Sequence, residues 1–249
     1  MGYETRVVAF IDILGFKNAI DKSDDNEDEY LRILNTLTEL KDTFIRPKDE
    51  DDINADRYLG ADTQIVQVSD SLVISRLIQE RGGIYYMISD CALAIHTLIR
   101  HGFLCRGAIT AGNMFHNGTT LFGSAFVEAY QTEANEILPI IKFNNELLDI
   151  VKHFPGIGNE GYEDWEIDFI KKNCKALDEN NSYINYFSDY NDRYGEDEGS
   201  SYFHYHKLRE ILVKGLELPI GSNAHMKFEW ASKQFNIVAD SNGQKKIEI

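Results

Sequence analysis

The chain has 249 residues, of which 43% are hydrophobic and 12% aromatic, so it is long enough to bury one large core. Its formal net charge of −16 argues against nucleic acid or an anionic membrane surface as a partner. We find neither a run of about 18 apolar residues nor a basic signal-peptide start, and the three cysteines lack metal-type spacing. These features predict a reduced, cytoplasmic protein.

The most informative stretch is Val7–Phe16, with the sequence VVAFIDILGF. Its Val, Ile, Leu and Phe content predicts a central strand that is buried on both faces. Asp12 is costly there unless something pairs with it, and Gly15 allows a turn whose amides can face an anion. A divalent cation would explain Asp12 and a phosphate would explain the turn; the alternative is that Asp12 caps the next helix.

A second acidic position follows in residues 62–75, DTQIVQVSDSLVIS, which predict two short strands joined at Ser69-Asp70-Ser71. Asp70 alone is compatible with ordinary turn chemistry. Two aspartates at strand ends, framed by β-branched residues, are nevertheless what a site for two Mg²⁺ ions needs.

The remaining elements up to residue 145 alternate between strands and helices. The charged run after the first strand is predicted as a solvated loop or helix start. We then predict a helix over 28–45, a hairpin over 62–77, a helix over 84–100, strands over 103–112 and 119–122, a helix from 124 and a strand over 138–143. This order predicts an α+β fold with helices packed on one sheet.

Beyond residue 145 the pattern predicts helices over 145–154, 164–177, 203–218 and 224–238. We therefore divide the chain into a catalytic domain, 1–145, and a helical extension, 146–249, packed on the same body. His204 and His206 in the extension have no suitably spaced Cys or carboxylate, which argues against a metal role.

Four pieces of the sequence together carry a resemblance. They are FIDILGF (10–16), SDSLVIS (69–75), CRGAITAG (105–112) and LFGSAFVEAYQTE (121–133). In their order and spacing the chain resembles the class III nucleotidyl cyclase catalytic domain, and more closely the bacterial pyrimidine cyclases of Pycsar-type antiviral systems. The resemblance covers about residues 5–145 and implies a ferredoxin-like, or palm, sheet.

The resemblance also implies site residues. Asp12 and Asp70, with the backbone carbonyl of Ile13, would hold two Mg²⁺ or Mn²⁺ ions. Arg106 would contact the triphosphate, the alternative being a structural ion pair inside the sheet, and the amides of Gly15 and Phe16 would support the phosphates. Catalysis would then consist mostly of positioning and charge stabilisation.

Two departures from the purine cyclases bear on activity and on substrate. Val127 and Gln131 stand where those enzymes carry a transition-state Asn and Arg. Either Glu128, Tyr130 or a Lys of the partner subunit takes over, or the domain is slow or inactive.

The positions that read the purine edge hold Val66 and Thr120, which cannot reproduce either purine pairing. We therefore predict UTP, with CTP as second choice, as the substrate. Tyr58 is either an aromatic platform for the base or an ordinary surface or core tyrosine.

The resemblance further implies a homodimer with composite sites, a separate effector protein that binds the cyclic nucleotide, and a role in antiviral defence. The rival interpretation is a pseudo-cyclase that binds nucleotide or acts as a scaffold. A diguanylate cyclase is disfavoured because Gly82-Gly83 is followed by Ile84 and not by an acid.

Overall fold

The computed structural model describes residues 2–45, 62–156, 158–187 and 198–249. The strands in these ranges are β1 Glu4–Leu14, β2 Gln64–Val68, β3 Ser71–Leu77, β4 Leu104–Asn117, β5 Thr120–Gly123, β6 Ile141–Asn144, β7 Cys174–Ala176 and β8 Asn181–Ile184. The α-helices are α1 Phe16–Ser23, α2 Glu27–Asp42, α3 Gly83–Arg100, α4 Ser124–Ala134, α5 Glu146–Val151, α6 Glu163–Asn173, α7 Glu198–Leu216 and α8 Asn223–Val238.

All eight strands belong to one sheet, with the order β2-β3-β1-β4-β6-β8-β7 and with β5 paired to β4. Strands β1 to β4 pair antiparallel with one another, whereas β4 and β6 pair in parallel. The chain reaches the first four strands in the order β-α-β-β-α-β, with the two helices α1 and α2 in the first crossover. This is the ferredoxin-like arrangement, so the predicted α+β fold class is confirmed.

Strand β1 lies in the middle of this sheet and is buried on both faces, as predicted. Val7, Ala9 and Ile11 join the main core, which contains the buried side of α3. Val8 and Phe10 point to the opposite face, where they form a smaller cluster with Ala125 and Ala129 of α4 and two other buried residues. Because side chains alternate along a strand, Asp12 lies on the same face as Phe10, the face covered by α4.

Two predicted element boundaries near the site differ from the structure. Strand β1 ends at Leu14, and the Phe16 that we placed at its end begins α1, because Gly15 has a left-handed backbone that turns the chain. Strand β4 continues to Asn117, five residues beyond the predicted end, because it pairs there with β5.

The region after 145 is not entirely helical. The helix predicted over 164–177 ends at Asn173, and strands β7 and β8 follow it. The apolar spacing of Ile167 and Ile170 continues to Cys174, but the backbone from there on pairs with β8. Strand β8 in turn pairs with β6, so residues from both sides of position 145 share one sheet.

Among the described residues, no helix has the combined length and apolarity that a membrane span requires.

Candidate active site

The structure brings Asp12 and Asp70 to adjacent strand ends. Asp12 pairs with Ser71 across the β1–β3 ladder, and the amide of Ile13 donates to the carbonyl of Asp70 at 3.0 Å. Ser69 has a positive φ of 57°, which gives the β2–β3 connection its tight turn. Burial, and then the charge of Asp70, raise the pKa of Asp12 above its ordinary value. The charge of Asp12 is thus costly beside Asp70, even though Arg106 offsets part of this cost, and a bound cation would reduce it.

The connection from β1 to α1 gives this end a set of backbone donors. Gly15 precedes α1 with φ 78°, and no side chain caps the helix, so its first amides stay open to a ligand. Phe16 is 3% exposed and its ring packs 6.0 Å from that of Phe103. Phe16 can therefore offer its amide, while its side chain anchors the turn in the core.

Arg106 of β4 lies directly across from Asp12 in the ladder. Its Nη2 atom is 3.4 Å from Oδ2 of Asp12 and 2.5 Å from Oε1 of Glu133, and Nη1 donates to the carbonyl of Glu136 at 2.9 Å. Its Nε is buried and has no hydrogen-bond partner in the described part of the chain. The ion pair that we considered as the alternative role of Arg106 is thus present, and one donor of the guanidinium is left over.

Glu133 is a site residue that the sequence analysis missed. It is 4% exposed, and burial raises its pKa, opposed by Arg106 and reinforced by Asp12. A signal existed: Ala125, Ala129 and Glu133 stand four residues apart and form the buried stripe of α4. A buried acid on an apolar helix face needs a nearby cation, and the partly buried Arg106 is that cation.

Lys227 of α8 is the second missed residue. Burial and the charge of Arg106 lower the pKa of Lys227, whereas Asp12 and Glu133 raise it. The far C-terminal helix thus brings a cation within electrostatic range of the Asp12 cluster. Its position in the sequence gives no hint of this proximity.

The other predicted substrate residues are dispersed. Tyr130 is 52% exposed on α4 and packs edge-to-face on Phe10 at 5.6 Å. Thr120 is exposed and pairs with Asn117, which stands eleven residues along β4 from Arg106. At the usual strand rise this is about 35 Å, so one chain does not bring Thr120 to Asp12.

The two positions that would read a purine offer no paired donor and acceptor, because Val66 is buried and apolar and Thr120 is remote. Val127, at the expected transition-state position, is 47% exposed, and Gln131 and Glu128 are exposed on the same helix. Tyr58 lies outside the described residues.

The donor set at the end of β1 suits a hard divalent cation. No group of three or more His, Cys, Asp or Glu side chains in the described ranges is arranged for a metal. Asp12, Asp70 and a main-chain carbonyl would be too few to form such a group. They match Mg²⁺ nonetheless, since it is bound in proteins by one or two carboxylates together with substrate phosphates and water. Mn²⁺ favours the same oxygen ligands.

No protein family model matches the chain, and no curated protein matches it. Solved structures of nucleotide cyclases are similar to it. The adenylyl cyclase CyaB from P. aeruginosa is 14% identical with a TM-score of 0.42, over 73% of this chain and 94% of that one. The dimeric guanylyl cyclase domain of the RhoGC fusion protein from the aquatic fungus Blastocladiella emersonii is 15% identical with a TM-score of 0.45, over 74% and 97%.

A bacterial light-regulated adenylyl cyclase is 11% identical with a TM-score of 0.45, over 75% of this chain and 92% of that one. Because these TM-scores lie below 0.5, we base the functional proposal on the geometry of the site and not on these similarities.

Proposed function

We propose that this chain is a nucleotidyl cyclase that uses two divalent cations, Mg²⁺ or Mn²⁺, at Asp12 and Asp70. The observation that supports this most is that the backbone next to Asp12 bonds to the backbone of Asp70, beside the uncapped start of α1. Carboxylates can hold cations and helix amides can hold phosphates, so one end of the sheet has both parts of a nucleoside triphosphate site.

In the proposed reaction the 3′-hydroxyl gives its proton to water and its oxygen attacks the α-phosphorus in line. A new P–O bond forms, and pyrophosphate leaves with the electrons of the broken P–O bond. The bound cations would lower the pKa of the 3′-hydroxyl and offset the triphosphate charge. Asp12, Asp70 and the carbonyl of Ile13 would hold those cations, while the amides of Gly15 and Phe16 would orient the phosphates. Arg106 would donate its spare Nε to the triphosphate.

The proposed substrate is UTP, with CTP as the second choice. A buried, apolar Val66 cannot pair with a purine edge, and a site that lacks base-specific partners loses much of its discrimination for that base. Tyr58 and Tyr130 are the proposed aromatic contacts of the base.

The proposed active species is a homodimer with composite sites. Thr120 lies far along β4 from Asp12 of its own chain, so it could serve only a second copy. Beside it, Phe122 is 51% exposed and stacks on Phe115, and Tyr3 packs edge-to-face on Phe122 at 5.7 Å. An exposed aromatic cluster of this kind is typical of an interface.

The resemblance of the sequence to Pycsar-type cyclases further supports a cytoplasmic enzyme in antiviral defence. Its cyclic nucleotide would act on a separate effector protein.

The direct experiment is to incubate the purified protein with each of the four nucleoside triphosphates and Mn²⁺, and to analyse the products by mass spectrometry. We expect cyclic UMP and pyrophosphate from UTP. Faster turnover of ATP or GTP would contradict the pyrimidine proposal, and no cyclic product from any triphosphate would contradict the cyclase proposal.

A pseudo-cyclase is the second candidate. It is favoured by Val127, whose side chain cannot hydrogen-bond, and by Arg106, which is already engaged by two carboxylates. Such a protein would bind UTP with Mn²⁺ and release it unchanged, so a binding measurement beside the product analysis separates the two candidates.

A further inference from the structure

The C-terminal helix α8 is held against the sheet in a defined rotation. Its Ser222 cap accepts from the amide of His225 at 3.1 Å, and the ring of Trp230 packs edge-to-face on Tyr183 and Phe187 at 5.8 and 5.9 Å. Lys227 precedes Trp230 by three residues, so the two share one face of the helix. Lys227 therefore faces the body of the protein.

That face of α8 leads to Arg106 through a short series of contacts. Phe187 stacks on Tyr186 at 4.2 Å, and the hydroxyl of Tyr186 donates to the carbonyl of Pro139 at 3.0 Å. The segment that contains Pro139 also supplies the Glu136 carbonyl to which Arg106 donates. Tyr183 also pairs with Lys142 of β6, which pairs with Ala108 of β4, so Trp230 packs on the sheet face that carries Arg106. The effect of Arg106, Asp12 and Glu133 on the pKa of Lys227 agrees with this placement.

Lys227 is half-buried, yet it forms no ion pair or hydrogen bond with any residue in the described ranges. Lysines elsewhere do pair: Lys142 with Glu136 at 2.9 Å and Lys233 with Glu229. Asp12 and Glu133 offset only part of the cost of this partly desolvated ammonium, because the net effect of its surroundings lowers the pKa of Lys227. A further anion would therefore stabilise it. Lys227 and the spare Nε of Arg106 together offer several donors to such an anion.

We propose that Lys227 is a phosphate-binding residue that the C-terminal helix supplies to the active site of its own chain. Its ammonium contacts a phosphate oxygen of the bound nucleoside triphosphate, next to Arg106. Naming the anion as a triphosphate rests on the proposed function. The C-terminal helix is then part of the site, and the chain does not depend on a partner subunit for this cation.

The test measures binding of inorganic triphosphate with Mn²⁺ by calorimetry, with no nucleotide present. Lys227→Gln removes the charge and keeps most of the side-chain stem. We expect it to raise the Kd for triphosphate about 10-fold or more, which is the usual effect of losing one charge-assisted hydrogen bond. Lys227→Arg should stay within about 3-fold of the wild type, because the charge is kept. Lys233→Gln, which removes an exposed lysine from the same helix, is the matched control and should change nothing.

Lys227→Met is the second variant, because it keeps an unbranched stem in the half-buried position and should show the same loss as Lys227→Gln. Urea unfolding of each variant verifies that the fold is intact. Wild-type affinity in either folded variant overturns the proposal, as does equal weakening by Lys233→Gln or an absence of triphosphate binding in the wild-type protein.

The two proposals fail separately. If the wild-type protein forms cyclic UMP but Lys227→Gln binds triphosphate normally, the cyclase proposal stands and the role of Lys227 is wrong. If triphosphate binding depends on Lys227 but no nucleotide is cyclised, the phosphate site stands and the cyclase proposal is wrong.

Discussion

Nη2 of Arg106 lies 2.5 Å from Oε1 of Glu133, where the last turn of α4 passes over β4. The same nitrogen lies 3.4 Å from Asp12, so the guanidinium is shared unequally between two acids. Because Glu133 is the nearer partner, Arg106 can move away from Asp12 without losing its counter-charge. Asp12 would then be free to bind a cation.

The first prediction follows from this sharing. Glu133→Gln removes the competing acid, so Arg106 should pair more strongly with Asp12 and oppose cation binding there. We expect the affinity for Mn²⁺, measured by calorimetry without nucleotide, to fall about 3- to 10-fold. Glu128→Gln, on the exposed side of the same helix, should leave it unchanged. An unaltered Mn²⁺ affinity in Glu133→Gln would mean that Glu133 does not control Arg106.

The second prediction concerns the two aspartates. If the proposed function is right, Asp12→Asn and Asp70→Asn should each abolish cyclisation, because each removes a charge proposed to hold the cations. Saturating Mn²⁺ should raise the Tm of the wild-type protein by several degrees, and this shift should disappear in both variants. A normal Mn²⁺-induced shift in either variant would contradict the assigned ligands.

The third prediction is that Asp12 lowers the stability of the metal-free protein at neutral pH. Its folded pKa is raised, so its contribution to stability is most favourable below its unfolded pKa and is lost as the pH rises through the folded value. Asp12→Asn should therefore raise the metal-free Tm at pH 7 by the order of 2 °C, and the difference should vanish towards pH 3. A lower Tm in the variant at pH 7 would show that its contact with Arg106 outweighs the burial cost.

The fourth prediction concerns a neutral histidine at the other end of the sheet. Nδ1 of His116 is 2.8 Å from Oγ of Ser75, and buried Arg6 donates its Nε–H to that same Oγ at 2.9 Å. Burial and the charge of Arg6 lower the pKa of His116 from 6.5 to about 4. Its contribution to stability is therefore complete above pH 6.5 and is lost as the pH falls towards 4.

The Tm of the wild-type protein should fall across that interval, and the fall should be shallower in His116→Gln. Replacing exposed His206 by Gln provides the control. In this variant the Tm should fall with pH as steeply as in the wild-type protein. If the Tm of the wild-type protein and of His116→Gln fell equally with pH, the pKa of His116 would not be the cause of the fall.

The fifth prediction tests the aromatic surface formed by Tyr3, Phe115 and Phe122. Phe122→Asp places a charge in this cluster and should weaken the proposed dimer at least about 10-fold in sedimentation equilibrium, with a parallel loss of activity on dilution. Ile220→Asp changes a 91% exposed apolar residue elsewhere and should have no effect. A wild-type protein that is fully active as a monomer would exclude the composite site.

The sequence predicted the parts of the site that depend on local pattern. Asp12 interrupts an apolar run and Asp70 lies at a hairpin tip between two such runs, and the pairing of β3 with β1 brings the two positions together. Gly15 was likewise predictable, because a strand that ends in Gly before a helix requires a turn.

The rest depended on contacts between distant segments. Glu133 contacts Arg106 only because α4 packs over β4. Lys227 lies on a helix that begins at residue 223, far along the chain from β1 and β4. Strands β7 and β8 have three and four residues, which is too short for an alternating pattern to outweigh the helical spacing before them. These strands exist because β6 offers them an edge.

The pairing of β6 with β8 has a consequence for synthesis of the protein. Asn144 of β6 pairs with Asn181 of β8, which is translated 37 residues later. The pair cannot form until β8 has been synthesised. At about 5–20 residues per second, the growing chain exposes the open side of β6 for roughly 2–7 s. During that time its unpaired amides can capture a strand from another nascent chain, so the yield of folded protein should depend on how quickly the ribosome passes through residues 145–184.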